Sequence, residues 1–244
     1  MAPLVALMLL LGTQPDEAER GSYLFQFEKG SDQKQHLVGK RYQPQSGDML
    51  LLDDHHEIAA RLYEICNTGK PLHAAILFHK PDGTPAVLEA GRNGVLKCFI
   101  TDASPRMHGF DGTILVRRLR KPLTPEQTKQ LTDFALAQEG KPYAFSRAIM
   151  HASPLRPRDP GLLRIFNRTV LDRESWICSE LTVAAATAAG VLNENDHPAN
   201  MMLPRDLCYD ERYDLSSIYE TPALWYPRAN VDHVGNGIRV GNPD

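Results

Sequence analysis

Cysteine is scarce here and poorly spaced for metal or redox work. The 244 residues hold four, Cys66, Cys98, Cys178 and Cys208, and no two of them form a CxxC pair. That argues against a structural zinc site, a redox dithiol and any readable disulfide framework. Long hydrophobic runs are missing as well. Pro3 to Leu11 comes nearest, yet it is too short for an ordinary membrane span and lacks the basic flank and cleavage site of a standard signal peptide. No cysteine follows it closely to carry a lipid; even so, an apolar terminus leans to export, to the periplasm or cell envelope. Charge of one sign is absent too, with a formal net charge of -3, so nucleic acid is not an expected partner. No internal repeat or low-complexity tract breaks the chain. What remains, 42% hydrophobic and 23% charged, suits a globular protein with one substantial core. The simplest division is an apolar terminus and polar arm over 1–40, one domain over 41–226 and a loose Gly/Asn-rich tail over 227–244.

Within that frame, Gln14 to Lys40 is polar and poorly periodic and reads as a linker or loosely packed arm. Ser46-Gly47-Asp48 is a turn, and Met49 to Leu52 a short buried strand. Asp53 opens a helix to about Cys66, with Ile58, Leu62 and Ile65 on one face. Its acidic first turn suits the helix dipole; the alternative is a metal site of His55, His56 and the aspartates, although adjacent histidines diverge on a helix. Leu72 to Phe78 and Ala86 to Ala90 are strands joined by the turn residues Pro81-Asp82-Gly83. A three-residue loop there pairs Lys80 with Thr84, and so Ala75 with Glu89, making His73 and Glu89 diagonal neighbours on one face. A carboxylate ending an apolar strand wants a partner, and an imidazole N–H is a good one. The plainer alternative makes both residues the rim of an exposed hairpin, and a slip of one residue would separate them.

Val95 to Ile100 and Thr113 to Leu119 are further strands, joined by a polar loop containing Met107-His108-Gly109. Thr124-Pro125-Glu126-Gln127 carries a capping box and starts a helix whose buried face is Leu131, Phe134 and Ala135, with Gly140 as its stop. Ala144 to Arg173 is loop-rich and holds six arginines against Asp159 and Asp172. It reads as a solvated insertion or as a lid favouring anionic substrates. Near the end, Met201 to Leu207 turns back onto the core ahead of Tyr213 to Trp225.

The stretch Ser175-Trp176-Ile177-Cys178-Ser179-Glu180-Leu181 places a cysteine in a first helical turn. Ser175 is the candidate N-cap, Leu181 to Ala189 is the apolar body, and Gly190 is the stop. Unpaired N–H groups and the positive end of the dipole favour a thiolate there. The bland alternative is a small buried core cysteine.

Taken in order, Ser46-Gly47-Asp48-Met49-Leu50-Leu51, Leu72-His73-Ala74-Ala75-Ile76-Leu77, Val87-Leu88-Glu89-Ala90, Gly140-Lys141-Pro142-Tyr143 and Trp176-Ile177-Cys178-Ser179-Glu180-Leu181 resemble the permuted papain-like cysteine hydrolases of the NlpC superfamily, in its YiiX/YaeF-like branch. Leu203-Pro204-Arg205-Asp206-Leu207 resembles the closing motif of that family. The resemblance implies a circularly permuted α+β fold, an antiparallel sheet of five or six strands packed against the cysteine-bearing helix. It implies Cys178 as nucleophile, His73 as general base and acid, Glu89 as the residue orienting His73, and Tyr143 as a substrate-binding residue. It calls for no cofactor and no metal. Leu72 departs from the small hydroxyl residue usual before the histidine, and the 144–173 insertion is longer than the family pattern. The implied activity is hydrolysis of amide bonds in a small-molecule, peptide or lipid-conjugate substrate, cell-wall peptides included. Lipid acyl hydrolysis or transfer is the second class, with which the apolar terminus and the arginines are compatible through membrane proximity. A non-catalytic binding module is the third.

Overall fold

The computed structural model describes residues 21–29, 35–54, 69–92, 95–151, 173–227 and 239–241. The sheet is built outward from β3 (Met49–Asp54), whose residues Met49 to Leu52 are no more than 1% exposed. Four successive apolar residues need cover on both faces, and this strand is central. It pairs antiparallel with β4 (His73–His79) on one side and β7 (Gly112–Arg117) on the other. Beyond β4 come β5 (Pro85–Arg92) and β6 (Val95–Asp102). Beyond β7 come β8 (Ala223–Pro227), β1 (Ser22–Lys29), β2 (Gln35–Tyr42) and β9 (Arg239–Gly241). Among the described residues the order is β6-β5-β4-β3-β7-β8-β1-β2-β9, antiparallel throughout except for the β2–β9 pair.

Four helices flank the sheet among the described residues: α1 (Ala103–His108), α2 (Pro125–Gln138), α3 (Phe145–His151) and α4 (Cys178–Ala188). The sequence predicts α2 from its caps. Thr124 Oγ1 accepts the Gln127 N–H at 3.2 Å, and Gln127 Oε1 accepts the Thr124 N–H at 3.1 Å. The α4 helix is apolar or small nearly all round and packs across β4 and β5, with α2 beside it. Its alanines let the helix lie close to the sheet. Gly190, at φ 66°, stops it: the Gly190 N–H reaches Thr187 C=O and the Val191 N–H reaches Ala186 C=O. On the opposite face, α1 contributes Ala103 and Met107 to a second apolar layer with Leu50, Ala75, Val87, Val116 and Trp225.

The fold is α+β, as expected, but its sheet is wider than five or six strands. The difference lies in the stretches read as a polar arm over 1–40 and a loose tail over 227–244. Residues 22–29, 35–42 and 239–241 are strands of the same sheet, so the 41–226 division cuts through it. β1 and β2 bury few side chains of their own, and cross-strand pairing supplies what periodicity lacks. At Gly39 the Phe25 ring lies where a side chain would be, with a Cβ there falling 2.4 Å from Phe25 Cε1. Two further corrections concern segments taken as loops. Ala103–His108 is a helix too short to show a period, and Phe145–His151 is helical at the start of the arginine-rich insertion. The apolar run at 3–11, the helix carrying His55 and His56, and insertion residues 152–172 lie outside the described residues.

Candidate active site

Three elements bring three side chains to one end of the sheet. His73 opens β4, Glu89 lies within β5, and Cys178 is the first residue of α4. The hairpin loop decides the first meeting. The Lys80 N–H donates to Thr84 C=O at 2.9 Å, Gly83 sits at φ 85°, and Ile76 pairs with Leu88. That is the register expected from Pro81-Asp82-Gly83, and it sets His73 Nε2 3.0 Å from Glu89 Oε2.

Strand alternation then separates the site into two faces. Ala86, Leu88 and Ala90 pack in the layer beneath α4, whereas Val87 packs in the opposite layer. Glu89 therefore points away from α4, toward the α1 side. Cys178 approaches from the α4 side, and His73, at the end of its strand, lies between them. His73 and Cys178 lie close enough for each to shift the titration of the other. With Nε2 given to Glu89, Nδ1 is the ring nitrogen left for the thiol.

The start of α4 differs from the Ser175 cap expected from sequence. Ile177 is the extended N-cap residue, which moves Cys178 to the first helical position. The reason is upstream pairing. Tyr143 bridges Trp176 in parallel, the Ala144 N–H donates to Trp176 C=O at 2.8 Å, and the Trp176 N–H donates to Pro142 C=O at 3.0 Å. Trp176 is fully buried, donating Nε1–H to Gln138 Oε1 at 3.0 Å and meeting Phe134 edge-on. Glu180, in the first turn, accepts the Ile177 N–H and takes the capping role instead. It is also gripped by Arg147 at 3.0 Å and Arg173 at 2.8 Å, while Arg147 bonds the Ser175 carbonyl. Two arginines of the insertion are thus committed to a buried carboxylate.

The electrostatics follow from these contacts. Burial acts to raise the Cys178 thiol, but the His73 charge and hydrogen bond and the Ala74 and Ser179 N–H groups outweigh it. The thiol therefore ionises below its ordinary range. Burial acts to lower His73, and the Cys178 thiolate and the Glu89 carboxylate more than reverse it, to about 9. Glu89, despite burial that acts to raise it, is drawn down to about 2 by hydrogen bonds from His73 and Arg106. By contrast, burial pushes Cys98 up to about 12 and Cys208 up to about 11.

Arg106 is the residue that sequence reasoning missed. From α1 its Nε donates to Glu89 Oε1 at 2.6 Å and its Nη2 to Oε2 at 2.9 Å. Both side chains are essentially fully buried, and the Arg106 guanidinium lies over the Phe110 ring at 5.1 Å. The available signal was the demand of Glu89 itself, since a carboxylate in an apolar strand needs a counter-charge as well as an imidazole. Tyr143 is half-buried with its ring against Gly91, where an added Cβ would fall 2.6 Å from Tyr143 Cδ2. Its backbone lies beside Trp176, two residues ahead of Cys178. Among the described residues no cluster of three or more His, Cys, Asp and Glu side chains could hold a metal ion. Both Glu89 oxygens and His73 Nε2 are already engaged, so this site offers no open donor set. The aspartate and histidine pattern at 53–57 lies mainly outside the described residues.

None of the curated proteins compared with the chain matches it. Among solved structures it is similar to one described as metalloprotein YiiX from Escherichia coli O157:H7, at 21% identity. That likeness covers 61% of this chain and 68% of the other, with a TM-score of 0.43. Residues 43–150, which hold His73 and Glu89 but end before Cys178, match the family model described as "Permuted papain-like amidase enzyme, YaeF/YiiX, C92 family". That match bears out the resemblance read from the short motifs: over these residues the chain is similar to the permuted papain-like amidases of the YaeF/YiiX type.

Proposed function

We propose that the protein hydrolyses amide bonds with Cys178 as nucleophile, His73 as general base and acid, and Glu89 as the residue that orients His73. The observation that carries this reading is the placement of His73, hydrogen-bonded to Glu89 on one side and close enough on the other for its charge to act on the helix-start Cys178. In the reaction His73 takes the Cys178 proton, and the thiolate attacks the substrate carbonyl carbon. The oxyanion accepts the Cys178 backbone N–H, one of the donors a helix start leaves unpaired. His73 then protonates the leaving amine as the C–N bond breaks, leaving a thioester. Water, deprotonated by His73, attacks that thioester, and the acid departs as the thiolate re-forms. Tyr143 is assigned to substrate contact from its place beside the segment leading into Cys178. The substrate is a small molecule or a peptide, and cell-wall peptides and lipid conjugates are the classes to try first.

The test is alkylation of each cysteine by iodoacetamide between about pH 5 and pH 8, in wild type and in His73→Ala. Cys178 should label much faster than Cys98 and Cys208 at the acidic end, and His73→Ala should abolish that advantage. Peptide amides should then release amine in wild type and not in Cys178→Ala. Release of fatty acid from phospholipid, with peptide amides untouched, would move the reading to lipid acyl hydrolysis. A Cys178 no more reactive than the other thiols would sink the hydrolase reading and leave a binding module.

A further inference from the structure

Glu89 poses an energetic problem that the Cys178–His73–Glu89 arrangement does not solve. Its side chain is 0% exposed, and a carboxylate taken out of water returns to its neutral form unless a countercharge holds it. A neutral Glu89 would offer His73 only a weak dipole. The imidazolium formed when His73 takes the thiol proton would then lose its stabilising charge. One ionised His73 cannot fill the need alone, because its single charge must also offset the Cys178 thiolate.

We infer that Arg106 is a positioning residue of the active site, which acts through Glu89 to keep the Cys178 thiolate and His73 imidazolium together. The inference rests on the Cys–His reading above. Three observations support it. The contact is bidentate, one guanidinium nitrogen to each carboxylate oxygen, which fixes the rotation of the carboxylate as well as its charge. Oε2 is shared between Arg106 and His73, so the oxygen that faces the imidazole is the one the arginine locates. Finally, the arginine comes from the face of the sheet opposite α4, so its helix has no part in holding Cys178. Charges then alternate along the line Arg106, Glu89, His73 and Cys178, and the buried set is neutral when the thiol is ionised.

The other charged groups nearby are accounted for. On α4 the first-turn Glu180 is covered by Arg147 and Arg173. Glu89 pairs with the uncharged Phe99 on β6, and Asp102, ahead of α1, is tied to Lys80. None of these is altered by replacing Arg106.

The pH profile of Cys178 alkylation tests the inference in the full-length protein, with no substrate needed. In Arg106→Met, Glu89 should regain its proton. The acid limb of the profile should then move up by about one pH unit or more, with labelling at about pH 6 falling roughly tenfold. Arg106→Lys, which keeps the charge without the two-pronged grip, should fall between. In a Glu89→Gln background, Arg106→Met should change the profile little, because the group it acts through is gone. That double variant also removes both buried charges and guards against a misfolded single variant; if Arg106→Met does not fold, Arg106→Lys against wild type decides. A profile that stays at wild type in a folded Arg106 variant overturns the inference. So does an equal shift with and without Glu89, which would mean a merely structural role. Should His73→Ala itself leave Cys178 labelling unchanged, the Cys–His reading fails instead, and the two failures are told apart.

Discussion

At the scale of single residues, the site depends on side chains whose partners come from elsewhere in the chain. Gly91 shows how narrow the tolerance is. Its φ of 71° favours glycine, and the Tyr143 ring occupies the space a side chain would take. Gly83 has a similar φ, 85°, but an added Cβ there would meet nothing within 4 Å. Gly83→Ala should therefore cost only backbone strain, about 1–2 kcal/mol, while Gly91→Ala should cost that and displace Tyr143 as well. Urea unfolding of the two variants measures the difference. Equal losses would mean that the Tyr143 contact contributes nothing. Cys178 makes the complementary point, since four cysteines look alike in sequence and only one of those described has an imidazole beside it.

At the scale of elements, the start of α4 is held by one carboxylate with three partners. Glu180 accepts hydrogen bonds from Ile177 and Arg147 and is ion-paired with Arg173, which ties the first turn of the helix to both ends of the arginine-rich insertion. Glu180→Gln should leave two buried or half-buried arginines without their anion and lower stability by roughly 3 kcal/mol. Because the cap positions Cys178, its alkylation rate should fall as well. Chemical unfolding combined with alkylation measures both, and a stable variant with full Cys178 reactivity would refute this role for Glu180. The helix body was legible, since the apolar run from Leu181 and the stop at Gly190 both carry local signals. Its first residue was not, because the pairing of Trp176 with Tyr143, and not a serine cap, sets where the helix begins. The hairpin was legible for the converse reason: the Pro81-Asp82-Gly83 loop specifies its own register, and the register brings His73 to Glu89.

At the scale of the whole molecule, two buried carboxyls pull stability in opposite directions with pH. Burial raises Asp48 from 3.8 to about 6, against a Tyr42 hydroxyl donating at 2.9 Å. The folded state thus holds the Asp48 proton more tightly, and that stability is present below 3.8 and lost as pH rises through 6. Glu89 is lowered from 4.5 to about 2, so its stability is present above 4.5 and lost as pH falls toward 2. Together they predict greatest stability between about pH 4 and 5, with a loss of roughly 2–3 kcal/mol from Asp48 by pH 7. Asp48→Asn should flatten the decline above pH 4 and leave the acid limb in place; calorimetric melting across pH checks it, and an unchanged decline would mean that other groups carry it. By itself the sequence determined the α+β class, the central strands, the caps of α2, the stop of α4 and the candidate trio Cys178, His73 and Glu89, because each has a local signal in periodicity, turn chemistry or motif. Only the tertiary structure decided that residues 22–29, 35–42 and 239–241 widen the sheet, and that Arg106 reaches Glu89 from the opposite face. It also committed Arg147 and Arg173 to Glu180. Those outcomes depend on pairing and charge compensation between segments far apart in the chain, and no local pattern encodes them.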